Sequence, residues 1–181
     1  MLYNAALNAD ADCGGLVSFN YFSGEPVTGI SSGIPLFART ENSEFSLANF
    51  MRTQIYSTMA TLKIGMEILE KENVEIDCLT GHGGLFKTPV VGQKFMAGAL
   101  NSPVSVMETA GEGGAWGIAV LARYLLDKGN CTLDEYLSER VFSKYKSTTI
   151  EPAKEDVDGF KKYMELYKKA LIIEKTATEN I

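Results

Sequence analysis

The residues best suited to chemistry in this chain lie in Leu79-Thr80-Gly81-His82-Gly83-Gly84-Leu85-Phe86-Lys87-Thr88-Pro89. Gly81, Gly83 and Gly84 remove side chains where backbone must turn sharply or lie against a flat ligand. Glu75-Ile76-Asp77-Cys78-Leu79-Thr80 reads as a short, mostly buried strand leading into the turn. Thr88 reads as an N-cap, and Pro89 presets the first turn of a helix expected over 89–100. A strand, a glycine turn and a helix N-terminus together suit a nucleotide, since free N–H groups and the helix dipole favour phosphate. A plain glycine turn at a strand–helix junction is the competing reading, and on this motif alone the two weigh about equally.

His82 is the only histidine in the chain and so the first candidate for a general base. No Ser, Cys or Asp stands at triad-like spacing to it, and a lone histidine beside a turn is more often structural. We therefore assign no catalytic residue. A second glycine cluster, Gly111-Glu112-Gly113-Gly114-Ala115-Trp116-Gly117, follows another strand. Its spacing departs from G-x-G-x-x-G, and no strand ending in an acid follows about 20 residues on. Packing explains it better: Gly113 and Gly117 share a helix face and would let a neighbouring backbone approach. Gly92 and Gly98 interrupt the 89–100 helix at about 1 kcal/mol each against Ala, so close packing is expected there too.

The elements that must hold these turns alternate between strand and helix. Residues 15–21 read as a strand ending in the turn Ser23-Gly24-Glu25-Pro26. A Gly/Ser-rich loop, 27–34, precedes a shorter strand at 35–38. Leu47, Phe50, Met51, Ile55, Met59, Leu62, Met66 and Leu69 recur at helical spacing, predicting one amphipathic helix over about 46–72. Its methionines read as core filling. Strand 103–108 and helix 112–127 follow. Thr109 with Glu112, and Thr132 with Glu135, have capping-box spacing. Val157, Phe160, Met164, Tyr167 and Leu171 mark a tail helix near 156–172, whose Lys161, Lys162, Lys168 and Lys169 alternate with acids as a solvated face. This order indicates an α/β layer with partly parallel strands.

Composition narrows the function classes. The 181 residues suffice for a single domain with a sizeable core. A net charge of −6 argues against nucleic acid, which needs a basic face. No apolar run approaches the ~20 residues that span a bilayer, and no secretion signal opens the chain. Cys13, Cys78 and Cys131 are odd in number and widely spaced, which suits reduced thiols in the cytoplasm and neither a disulfide framework nor a zinc site. The opening Met1–Leu7 reads like the end of a helix, and no Asp-Gly-Thr phosphate loop occurs.

Five segments in order carry a family resemblance. Gly15-Leu16-Val17-Ser18-Phe19-Asn20-Tyr21-Phe22-Ser23-Gly24-Glu25 is similar to a Gly-Leu-…-Pro-Tyr-…-Ser-Gly-Glu segment, and the long helix with Arg52 to a signature helix. Gly83 to Pro89 is similar to an adenosine motif, Ala97 to Val104 to an Ala-Asp-…-Leu-Gly-…-Pro-Val stretch, and Gly111 to Ala122 to a hinge helix. The chain resembles the C-terminal part of the FGGY carbohydrate kinases, and its tail resembles the ends of pentulose kinases of the xylulokinase and ribulokinase kind. It departs at Asn20 (usually Pro), Gly98 (often Asp) and Tyr56 (near a position usually acidic).

The resemblance implies a ribonuclease H-like lobe of the actin and hexokinase superfamily, a partial sheet with helices packed on it. It implies that Gly83, Gly84, Leu85, Lys87 and Thr88 line the adenosine side of an ATP site, and that Gly113, Gly114 and Gly117 belong to a hinge. It also places the catalytic Asp, the sugar pocket, the phosphate loops and the Mg2+ ligands outside these residues. The chain is then expected to be the C-terminal lobe of an ATP-dependent kinase, inactive alone, with its sugar substrate held elsewhere. Exposed hinge surface would favour a homodimer. The competing class is a stand-alone, non-catalytic binding module that kept the fold.

Overall fold

The computed structural model describes residues 2–181. A short helix, Leu2–Ala5 (α1), opens the chain and continues as a 3-10 turn to Asn8. Val17–Phe19 (β1) and Leu36–Ala38 (β2) pair antiparallel, with Val17 opposite Ala38. The long periodic segment folds as Leu47–Lys71 (α2), and Ser46 caps it by accepting the Asn49 N–H at 3.1 Å.

A three-stranded sheet forms the other half. Leu79–Gly81 (β3) runs parallel to Val104–Met107 (β4), which pairs antiparallel with Ser147–Ile150 (β5). Between β3 and β4 lies Val91–Leu100 (α3). After β4 come Gly113–Asp127 (α4) and Leu133–Glu135 (α5), the latter continuing as a π-helical turn to Val141. Lys154–Asn180 (α6) ends the chain.

Several expectations need correction. The strand expected over 75–80 is confined to Leu79–Gly81, and residues 74, 75, 77, 78 and 80 are exposed. Thr88 caps no helix: α3 starts three residues later, after a turn at Val90. Thr109 makes no capping bond, and its Oγ1 is buried without a partner. The Thr132–Glu135 capping box does form. The tail helix extends beyond 156–172 at both ends, and β5 has no counterpart in the expected order.

The core lies between the β1–β2 pair, α2, α3 and α6. Its largest fully buried side chains include Tyr56, Tyr163, Tyr167, Phe19 and Phe95. The Tyr56 ring sits edge-on to Phe160 (4.8 Å, 89°) and to Phe95 (5.7 Å, 87°), the offset geometry that aromatic quadrupoles favour. Gln93 ties the core to the sheet, donating from Nε2 to the carbonyls of Val104 (3.1 Å) and Thr148 (2.8 Å). Close packing at the helical glycines holds: a Cβ on Gly98 would lie 2.6 Å from Asp156 Cβ, and one on Gly92 3.0 Å from Leu85 Cγ.

One buried ionic cluster joins four segments. Arg52 on α2 donates to Asp156 on α6 at 2.7 Å, to Tyr56 Oη at 2.5 Å and to the Ala9 carbonyl at 3.3 Å. Lys94 of α3 also donates to Asp156. Arg52 and Asp156 are each 3% exposed, and the guanidinium stacks on the rings of Tyr56 and Phe95. A buried carboxylate with two cationic donors meets the pairing that burial of charge demands. The three cysteines are free; burial pushes the Cys13 thiol up to about 12, against a bond from Thr53 and the charge of Arg52, so it is inert.

Candidate functional site

β3 and β4 run parallel, so their carboxyl ends open on the same edge of the sheet. Each passes straight into a glycine-rich loop. In α/β sheets that edge is where ligands bind, because loops and helix N-termini converge there. After β3, Gly83 takes φ 101 and ψ −173, a conformation closed to side-chain-bearing residues. Its N–H donates to the Ala110 carbonyl at 2.8 Å, stitching the first loop to the second. Its own carbonyl accepts the Phe86 N–H at 3.1 Å and starts the 3-10 turn Gly84–Lys87.

Two further contacts hold the loops side by side. His82 packs on the first residue of α4: a Cβ on Gly113 would lie 2.9 Å from His82 Nδ1. The aliphatic stem of Lys87 covers Gly111, where a Cβ would lie 3.1 Å from Lys87 Cε. The histidine that sequence reasoning set aside as structural is thus a spacer between the loops. Phe86 folds back over Gly81, whose lack of a side chain admits the ring.

The expected contact residues fall into two groups. Gly83 and Gly84 face open space, with no heavy atom within 4 Å of a built Cβ, and Gly84 is exposed. Lys87 is exposed and Thr88 half-buried at the same turn. Leu85 points the other way: its Cγ lies against Gly92 and the side chain joins the core, so only its backbone borders the loop surface.

Beyond Thr88 the chain makes a γ-turn in which the Val91 N–H donates to the Pro89 carbonyl at 2.9 Å. Its central residue, Val90, has φ 71 and ψ −47, a strained geometry for a β-branched residue. The turn replaces the cap expected from Thr88. No sequence signal marks it.

The three small residues assigned to a hinge stand on α4. Only Gly113 meets a neighbour, the side chain of His82. Gly114 and Gly117 have none within 4 Å of a built Cβ. The backbone approach expected at Gly113 and Gly117 does not occur among the described residues. No residue of α4 is buried. Ile118, Leu121 and Leu125 are 72%, 48% and 69% exposed and share a face with Gly114. Trp116 instead packs on Phe142 and Tyr145.

Among the described residues no group of three or more His, Cys, Asp or Glu could hold a metal ion. No helix is long and apolar enough to cross a membrane.

Residues 1–126 match the family model for the C-terminal domain of the FGGY family of carbohydrate kinases. No curated protein gives a significant match. Among solved structures the chain is similar to a ligand-bound xylulose kinase from Lactobacillus acidophilus (TM-score 0.70, 19% identity, 98% of this chain and 35% of that one). It is similar to a gluconate kinase from the same organism (0.69, 20%, 95% and 34%). It is also similar to Plasmodium falciparum glycerol kinase with ADP (0.67, 19%, 96% and 33%). The chain thus spans about a third of the length of these solved relatives, and its α/β fold is the ribonuclease H-like one that they share. On the match of residues 1–126, the chain belongs to the FGGY family of carbohydrate kinases.

Proposed function

We propose that this chain is the C-terminal lobe of an ATP-dependent carbohydrate kinase and supplies the adenosine wall of its nucleotide site. The observation that carries the reading is the pair of glycine loops at the carboxyl ends of two parallel strands, joined by the bond from Gly83 to Ala110. A flat ring needs backbone without side chains on one face, and Gly83 and Gly84 present that surface. Thr88 and Lys87 border it with a hydroxyl and an ammonium, and Leu85 with its backbone.

Phosphoryl transfer needs positioning, charge stabilisation and a group to take the acceptor hydroxyl's proton. In this reading a Mg2+ bound with ATP neutralises charge on the phosphates. In this reading the residues that would hold it lie, like the sugar pocket, in another part of the enzyme. The acid–base group and the sugar pocket come from another part of the enzyme, so the chain by itself turns nothing over. The acceptor is a sugar of the pentulose class, and the place of work is the cytoplasm. The 181 residues act as one domain. The open stripe of Gly114, Gly117, Ile118, Leu121 and Leu125 on α4 is the hinge surface against which the remainder of the kinase closes. Unpartnered, that stripe would drive self-association into a homodimer.

Gly84→Val tests the adenosine wall. A Cβ there meets nothing, so the substitution fills ligand space without disturbing the fold. Weak ATP binding that Gly84→Val abolishes supports the reading. Binding unaltered by it refutes the site, and turnover of a pentulose with ATP by the chain alone refutes its inactivity.

A further inference from the structure

A groove of about 320 Å3 opens where α6 packs over the carboxyl-terminal end of α3, bordered by α2. Its volume falls within the range of about 300–1,000 Å3 seen for small-molecule sites. The floor is apolar: Ala99 from α3, and Val157, Phe160 and Met164 from α6. Methionine on such a floor adapts its shape to an occupant. α6 begins after residue 126, so this wall lies outside the residues that match the family domain. The candidate loops touch the other end of α3, through Leu85 and Gly92. The seven residues from Gly92 to Ala99 separate the two places by roughly 10 Å along the helix.

The rim is charged. Lys63, Lys161 and Lys168 border the groove together with Glu67 and Glu165. Lysine stems lie along apolar walls while their ammonium groups reach water. Lys168 donates to Glu67 and Lys63 to Glu70, both at 2.5 Å. These are exposed pairs, which are weak and exchange readily with another anion. Lys161 is in no ion pair among the described residues. With Glu70 counted the charges at the rim balance, and Lys161 is the one ammonium of the three that no carboxylate among the described residues holds, so it is the group open to an anion from outside.

We propose that this groove binds a small amphipathic monoanion, its hydrocarbon body on the Ala99–Phe160–Met164 floor and its anionic head among the rim lysines. The proposal is independent of the nucleotide reading, since it uses none of the loop residues.

Octanoate is the probe, titrated into the 181-residue chain and followed by amide NMR shifts. The expected result is saturable shifts at Ala99, Asn101, Lys161 and Met164 with Kd below about 1 mM. Octylammonium gives none. Lys161→Glu, an exposed change that leaves the melting temperature in place, weakens octanoate by about fivefold or more. Gly84→Val leaves octanoate affinity unchanged. Equal affinity for octylammonium overturns the proposal, as does an unchanged affinity in Lys161→Glu. Shifts confined to the exposed face of α4 also overturn it, because they would report a general apolar surface.

Discussion

Replacing Asp156 with alanine would strand two cations, one of them sealed in the core. Arg52 is 3% exposed and cannot shed its charge. Lys94 is a third exposed at its side chain and can turn to water. The cost therefore falls mainly on Arg52, which keeps only the Tyr56 hydroxyl, the Ala9 carbonyl and two ring faces. Breaking a buried pair by removing one partner costs about 3–5 kcal/mol. At about 2–4 °C per kcal/mol for a chain of this size, the melting temperature should fall by roughly 6–20 °C. Urea denaturation gives the free energy directly, from the midpoint at an unchanged slope. Asp156→Asn keeps an acceptor and loses the charge, so it should fall between wild type and alanine. The double variant Arg52→Met/Asp156→Leu removes both charges and should recover most of the loss. A loss under about 1 kcal/mol in Asp156→Ala would refute the view that this cluster pins α6 to α2.

Three further outcomes follow from single positions. Gly98→Ala puts a Cβ 2.6 Å from Asp156 Cβ and should cost about 1–3 kcal/mol by overpacking; calorimetry showing an unchanged or raised melting temperature would exclude that contact. Glu174 is fully buried, one oxygen accepts the Ile34 N–H at 3.0 Å, and the other has no partner. Burial raises its carboxyl above the usual range, only partly offset by that bond, so the folded state holds the proton more tightly and stability falls as pH rises from the unfolded value through the folded one. Glu174→Gln should then gain about 1 kcal/mol at pH 8 and lose that advantage near pH 4; a pH-independent difference in urea midpoints would contradict the assignment. Val90→Gly relieves a positive-φ γ-turn worth about 1–3 kcal/mol against a glycine entropy cost of about 0.5–1 kcal/mol, so it should leave the chain as stable or up to about 2.5 kcal/mol more so, and a loss above 1 kcal/mol would show that Val90 is unstrained.

Local signals in the sequence were readable where local forces decide. The 3.6-residue period predicts a helix over about 46–72, and α2 at Leu47–Lys71 falls within a residue of that at either end. The Thr132–Glu135 box marks α5, and β1, β2 and β4 lie inside the strands expected for them. Long-range pairing was not readable. Ser147-Thr148-Thr149-Ile150 has no apolar alternation and becomes β5 because β4 and the Gln93 amide hold it. Residues 75–78 have the composition of a strand but find no neighbour, so only 79–81 pair. Asp156 gives no hint in sequence that its carboxylate meets an arginine 104 residues earlier. The candidate site divides in the same way. Glycine at 83 and 84 announces a backbone surface. The second loop against it depends on His82, Gly113 and the Ala110 carbonyl, which only the parallel pairing of β3 and β4 brings together.

The central claim is that the paired loops form one wall of a nucleotide site. An ATP titration of the 181-residue chain followed by amide NMR shifts tests it most directly. Weak, saturable binding is expected, on the order of 0.1–1 mM, with shifts at Gly83 to Thr88 and Gly111 to Gly113, and their disappearance in Gly84→Val. Micromolar or tighter binding would contradict the split site, and shifts elsewhere, or shifts that survive Gly84→Val, would contradict its location.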